Sequence, residues 1–125
     1  MAVNVGYDVP PELSEKALSV LEKVRSSGGK IRKGTNEATK VVERAQAKLV
    51  VIAEDVDPPE IIAHLPLLCE ERKIPYVFVP NKIKLGNAVG IDVPAASVVI
   101  LKEGDATGLI KEIITRIEQV KRGAQ

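Results

Sequence analysis

Aromatic side chains are scarce in this sequence: tryptophan is absent, and Tyr7, Tyr76 and Phe78 are the whole complement in 125 residues. Proteins that read single-stranded nucleic acid on an open sheet face stack bases on aromatic rings, so that mode is excluded. Cysteine occurs once, as Cys69, and histidine once, as His64. A single thiol rules out an internal disulfide, and the pair is too few for a zinc cluster. No apolar run approaches the ~18 residues that span a bilayer. The opening "MAVNVGYDVPPELSEK" has neither the basic start nor the apolar core of a secretion leader. A soluble, intracellular chain with no membrane contact is the expectation. Neither charge sign dominates: 18 basic against 17 acidic residues leave a net charge of +1, too little for a protein that coats nucleic acid indiscriminately.

Hydrophobic residues, by contrast, make up 45% of the chain. That is enough for a packed core, and the length fits one domain, residues 1–125. After Pro10-Pro11, apolar residues at Leu13, Ala17, Val20, Leu21 and Val24 keep helical spacing until Ser26-Ser27-Gly28-Gly29 stops it. "KIRK" reads as a short strand. A second helix is expected over about 35–46, with Ala38, Val41, Val42 and Ala45 inward. "LVVIA", residues 49–53, is the continuous apolar run of a central strand covered on both faces. "DVDPPE" predicts a loop and a helix capped by Asp57, running to about Arg72 with a bend at Pro66. Next come a strand "YVFVP", a short helix "NKIKLGNAVG" and a strand "SVVIL". A last helix from near Asp105 is expected to bury Leu109, Ile110, Ile113, Ile114, Ile117 and Val120. Strand and helix alternate in this second half, which predicts parallel pairing with helices on both sheet faces. The expected fold is α/β: a three-layer α/β/α sandwich with a small mixed sheet.

The segment "GGKIRKGTNEATK", residues 28–40, has the glycines and basic residues of a phosphate cradle. The nucleotide-binding pattern, however, needs a lysine directly after the second glycine, and Thr35 stands there. The triple-glycine dinucleotide fingerprint is absent too. His64 lies in the apolar stretch "IIAHLPLLC", where a helix-face role is the expectation, and Cys69 reads as buried packing. No nucleophile–base pair emerges, so neither catalytic residues, nor a metal, nor a cofactor is expected.

Glu37 is the telling residue. A helix N-terminus attracts anions, but a carboxylate there repels phosphate and needs a hydrogen-bond donor. Guanine offers one: its N1–H and amino group lie side by side and match two carboxylate oxygens. Asn36 can pair with a base edge, and Lys40, one turn on, shares the same helix face. Lys30, Arg32 and Lys33 would then hold the backbone, since phosphates position and bases specify. Charge is distributed accordingly. Residues 30–48 carry Lys30, Arg32, Lys33, Lys40, Arg44 and Lys48 against Glu37 and Glu43, whereas residues 54–60 carry four acids and no base. Each residue also has a plainer reading. Thr35 or Asn36 can cap the helix, Glu37 can complement its dipole, and Lys40 can simply be solvated. A second patch adds weight: "VGIDVPAAS", residues 89–97, places apolar Ile91, Val93 and Pro94 in a loop, where they can pack on an unstacked base. A small nucleotide-binding or RNA-modifying enzyme, and a protein adaptor using the acidic 54–60 edge, remain as alternatives.

Three blocks, "GTNEATK" at 34–40, "AEDVDPPEIIAHLPLLCEERKIPYVFVPNKIKLG" at 53–86 and "GIDVPAAS" at 90–97, resemble the kink-turn RNA-binding family. That family includes the archaeal large-subunit ribosomal protein L-seven-Ae and the eukaryotic box C/D small nucleolar ribonucleoprotein core protein. The resemblance covers nearly the whole chain. It implies an α/β/α sandwich that binds a helix–bulge–helix RNA with tandem sheared G·A pairs and one flipped-out base. It implies that Gly34, Thr35, Asn36, Glu37 and Lys40 read the G·A pairs and that Lys33 and Lys82 touch backbone. Asp57 and Ile61 would lie near the flipped base, and Ile91, Asp92, Val93, Pro94 and Ala95 would cover the bulge. Asp57, where several relatives have glutamate, and Ile91-Asp92-Val93, where a Leu-Glu-Val or a basic residue is usual, depart mildly from the pattern. The resemblance further implies a cytoplasmic protein, monomeric when free, that serves ribosomal RNA, box C/D and H/ACA guide RNAs and ribonuclease P RNA, with the particle proteins assembled on them.

Overall fold

The computed structural model describes residues 7–123; the first six residues, part of the stretch read for a leader, and the last two lie outside them. The chain runs α1 (Pro11–Ser26), β1 (Lys30–Lys33), α2 (Thr35–Glu43), β2 (Leu49–Ala53), a 3₁₀ turn (Pro59–Ile61), α3 (His64–Arg72), β3 (Tyr76–Val79), α4 (Lys82–Ala88), β4 (Ser97–Lys102) and α5 (Thr107–Gly123). The four strands form one mixed sheet in the order β1-β4-β2-β3. Every residue of β2 is buried, as the unbroken apolar run requires of a strand covered on both faces. The helices fall into two groups: α1 touches α4 and α5, while α2 touches α3. This is the three-layer α/β sandwich with a mixed sheet that the residue pattern predicts.

The core follows the helical spacing. Leu13, Ala17, Val20, Leu21 and Val24 of α1 are all buried, and Ile110, Ile113 and Ile117 form the inner stripe of α5. The three aromatics gather in the core, with ring centroids 5.6 Å (Tyr7–Tyr76), 6.4 Å (Tyr7–Phe78) and 5.9 Å (Tyr76–Phe78) apart. The Tyr7 hydroxyl donates to the Tyr76 carbonyl, and the buried Ser14 hydroxyl donates to the Phe78 carbonyl at 2.7 Å, which satisfies polar groups that burial would otherwise leave costly. The edge strand β1 exposes Lys30, Arg32 and Lys33 and half-buries Ile31. Charged residues on an edge discourage further strand pairing.

Several expectations need correction. β2 and β3 are parallel, but β4 is antiparallel to both β1 and β2. The seven-residue α4 is only about 10 Å long and does not carry the chain back along the sheet. Instead the Ala95 N–H donates to the Lys82 carbonyl at 3.0 Å, so the chain doubles back and enters β4 at the end where β3 left. Helix α2 stops at Glu43, and Ala45 is exposed with φ 57°, not inward. Asp57 caps no helix. Pro58 occupies the N-cap of the 3₁₀ turn without a side-chain cap, and the expected long helix is broken at Ile62-Ala63, not bent at Pro66, which is buried in the first turn of α3. In α5, Leu109 is exposed, because the inward stripe is Ile110, Ile113 and Ile117, continued by Ala106 just before the helix, and Leu109 falls off it; Ile114 and Val120 are only partly buried.

Candidate nucleic-acid interface

The sheet register gathers the candidate residues at one end. Lys33, the last residue of β1, pairs with Val98 at the start of β4. Ser97 pairs with Ile52 near the end of β2, and Ala53 pairs with Val79, the end of β3. The segments leaving β1, β2 and β3 and the segment entering β4 therefore meet. These are the 34–40 motif, the acidic 54–60 loop, the start of α4 and the 89–96 loop.

The motif is fixed by backbone. Gly34 has φ 97°, a region that residues with a Cβ avoid. Its N–H donates to the Ser97 carbonyl at 2.9 Å, and its carbonyl accepts from the Ala38 N–H at 2.9 Å. Gly34 is the N-cap of α2 and supplies no side-chain cap, so neither Thr35 nor Asn36 is spent on capping. The half-buried Thr35 hydroxyl lies 3.3 Å from the Ser97 hydroxyl, which makes it a brace. Ala38, Val41 and Val42 bury the inner face of α2. Asn36, Glu37 and Lys40 consequently face outward, all exposed. Glu37 and Lys40 form a 3.6 Å ion pair. An exposed pair of this kind contributes little, so both ends stay available to a ligand.

The apolar loop is clamped on α4 at both ends. The Ile91 N–H donates to the Gly86 carbonyl at 3.1 Å and the Ala95 N–H to the Lys82 carbonyl at 3.0 Å. Asn81 caps α4, accepting from the Ile83 and Lys84 N–H groups at 2.8 and 3.0 Å. The Asp55 carboxylate accepts from the Lys82 N–H at 2.8 Å, which gives it a structural task. Asp92, Val93 and Pro94 stand exposed, and Ile91 is half-buried. Ala95 differs from expectation: it is 4% exposed, so it anchors the loop and offers little apolar surface. A crevice of about 280 Å³ is lined by Lys33, Gly34, Ile91, Val93, Pro94, Ala95 and Ala96, so motif and loop share one hollow. Thr35, Asn36, Glu37, Lys40, Asp57, Ile61, Lys82 and Asp92 are not among its lining residues. Asp57 and Ile61 are exposed, Ile61 at 45%, and Lys82 is half-buried.

Sign is divided across this end of the molecule. Lys33 and Arg32 form no ion pair among the described residues. On the other side, Glu54 has its carboxyl raised by partial desolvation first and by the Asp8 carboxylate second. The His64 ring nitrogen lies 2.7 Å from the Thr39 hydroxyl, and burial, with Glu70 next, pushes the Cys69 thiol up to about 12.

A family model for ribosomal proteins matches residues 15–110, which include both the motif and the loop. The chain belongs to the ribosomal protein L7Ae/L30e/S12e/Gadd45 family. Among solved structures it is similar to the 15.5kD RNA binding protein of Giardia lamblia, at 38% identity over 93% of this chain and 95% of that one, with a TM-score of 0.84. Family membership accounts for the blocks that drew attention in the sequence. It leaves unremarked a residue on α1, Arg25, and a groove beside β1 that motif reading missed. No local spacing announces them, because they meet only through the fold.

Proposed function

We propose that this protein is a non-enzymatic RNA-binding protein that recognises and stabilises a kink-turn. The observation that carries this reading is the shared crevice. Lys33, Gly34 and the clamped apolar loop line one hollow at the end of the sheet, and the exposed Asn36, Glu37 and Lys40 follow on the helix that Gly34 caps. A carboxylate, an amide and an ammonium on one helix face complement the edges of sheared G·A pairs. Exposed Val93 and Pro94 suit an unstacked bulge nucleotide. Asp57, Ile61 and Lys82, outside the crevice, are assigned to a flipped base by the family resemblance. An RNA that samples open and bent states is drawn to the bent one by a ligand that fits only that one. The similar Giardia protein is itself an RNA binding protein, which supports the class of partner. Ribosomal RNA, box C/D and H/ACA guide RNAs and ribonuclease P RNA in the cytoplasm are the candidate targets, with particle proteins joining on the bent RNA and the free protein a monomer.

The test is a titration of one kink-turn RNA and of its counterpart with the sheared G·A pairs changed to Watson–Crick pairs. Tight binding to the first and weakened binding to the second is the expected result. Equal affinity for both would remove the reading.

A further inference from the structure

Beside the crevice lies a second hollow of about 230 Å³, lined by Arg25, Gly29, Ile31, Lys33, Val89 and Ile91. It shares Lys33 and Ile91 with the crevice, so the two are neighbours along one surface. Its walls are aliphatic and its charged members are two cations. Arg25, exposed at the last turn of α1, makes no ion pair or hydrogen bond among the described residues. The side chain is nonetheless seated. Gly90 has φ 80°, and a Cβ there would stand 3.0 Å from Arg25 Nη1 and 3.2 Å from its Cζ, so the guanidinium rests on the bare backbone of the 89–96 loop. Drug-sized ligand pockets run from roughly 300 Å³ upward, which suits this smaller hollow to a single flat ring.

We propose that this groove seats a second unpaired nucleotide of the bound RNA. Its base packs against Ile31, Val89 and Ile91 with the Arg25 guanidinium across it, and the adjoining phosphate lies on Lys33. This rests on the RNA reading above. Unstacked bases pack on guanidinium planes and apolar side chains, and a phosphate needs an unpaired cation at the junction of the two hollows, where Lys33 stands. Exposed Lys30 and Arg32 draw the strand across β1.

The experiment uses the full chain and a set of kink-turn RNAs in which each unpaired nucleotide is made abasic in turn. At one position the abasic RNA should bind wild type about 5- to 10-fold more weakly. The same change should cost Arg25→Ala clearly less, because only the aliphatic contacts to Ile31, Val89 and Ile91 remain to be lost. Arg25→Lys should keep the salt dependence of wild type and lose the sensitivity to that base. The inference is overturned if no abasic position couples to Arg25 while wild type still discriminates sheared G·A from Watson–Crick pairs; the kink-turn reading then stands alone. It is also overturned if Arg25→Ala weakens every RNA equally, since that reports charge without a base. A wild type that fails to discriminate the pairs removes the kink-turn reading and this inference with it.

Discussion

Gly86→Ala isolates the clamp on the apolar loop. Gly86 sits inside α4, and a Cβ there would stand 2.1 Å from the Val93 carbonyl oxygen, whereas ordinary contact begins at 3.4 Å. A gap of about 1.3 Å must open between α4 and the loop that carries Val93 and Pro94, and the obstacle is backbone. Overpacking of this kind costs about 1–3 kcal/mol. Replacing a mid-helix glycine returns roughly 0.5–1 kcal/mol. The net loss spans about 0–2.5 kcal/mol and centres near 1 kcal/mol, a fall in Tm of roughly 3–6 °C. Lost loop contacts worth about 1–2 kcal/mol should weaken kink-turn binding about 5- to 30-fold at a temperature where both proteins are folded. Gly108→Ala is the control, because a Cβ in that turn of α5 meets nothing within 4 Å; it should stabilise by roughly 0.5–1 kcal/mol and leave affinity unchanged. Circular dichroism melts and fluorescence anisotropy read both effects. If Gly86→Ala stabilised as Gly108→Ala does and bound RNA like wild type, the clamp and its role in binding would be refuted.

Lys33→Ala should weaken binding to cognate and altered RNAs alike and reduce the slope of log K against log salt by about one; a loss confined to cognate RNA would instead make Lys33 a base reader. Asn36→Ala should cost about 1–3 kcal/mol on the kink-turn and little on the Watson–Crick counterpart, measured in the same titrations. Burial first, then Glu70, holds the protons of Tyr7 and Tyr76 well above the usual phenol range. Groups with raised folded values stabilise fully below their unfolded pKa, about 10, and that stability is lost as pH rises. Tyrosinate absorbance should therefore appear together with alkaline unfolding, and its appearance in a chain still folded by circular dichroism would contradict the buried cluster. Cys69, fully buried, should react with a thiol reagent at pH 8 only as the chain unfolds in denaturant; rapid labelling of the folded chain would refute its placement.

Periodicity and composition made much of this molecule legible. The inward set of α1, the two-sided burial of β2 and the outward trio Asn36, Glu37 and Lys40 all follow from spacing, because burial of one helix face dictates what the other presents. Other features depend on meetings between distant segments. The direction of β4 is decided by how short α4 is and by the Ala95–Lys82 hydrogen bond. Alternating strands and helices say nothing of either. Asp57 resembles a cap in the sequence, but the backbone at Pro58 and Pro59 forms a 3₁₀ turn before α3 can begin. Ala95 belongs to an apolar stretch, and only the fold shows that its place is underneath the loop. Arg25 was one helix-end charge among several until Gly90 brought the loop beneath it.

Base reading by Glu37 is tested most directly by the affinity of Glu37→Lys for a kink-turn RNA. The substitution removes the carboxylate that accepts from guanine and replaces one negative charge with one positive, on a helix face already carrying Lys40. If the carboxylate reads a purine edge, binding to the kink-turn falls despite the added attraction for phosphate. If the variant binds as tightly as wild type, or more tightly, attraction between charges explains the interface and the reading of bases by Glu37 is wrong.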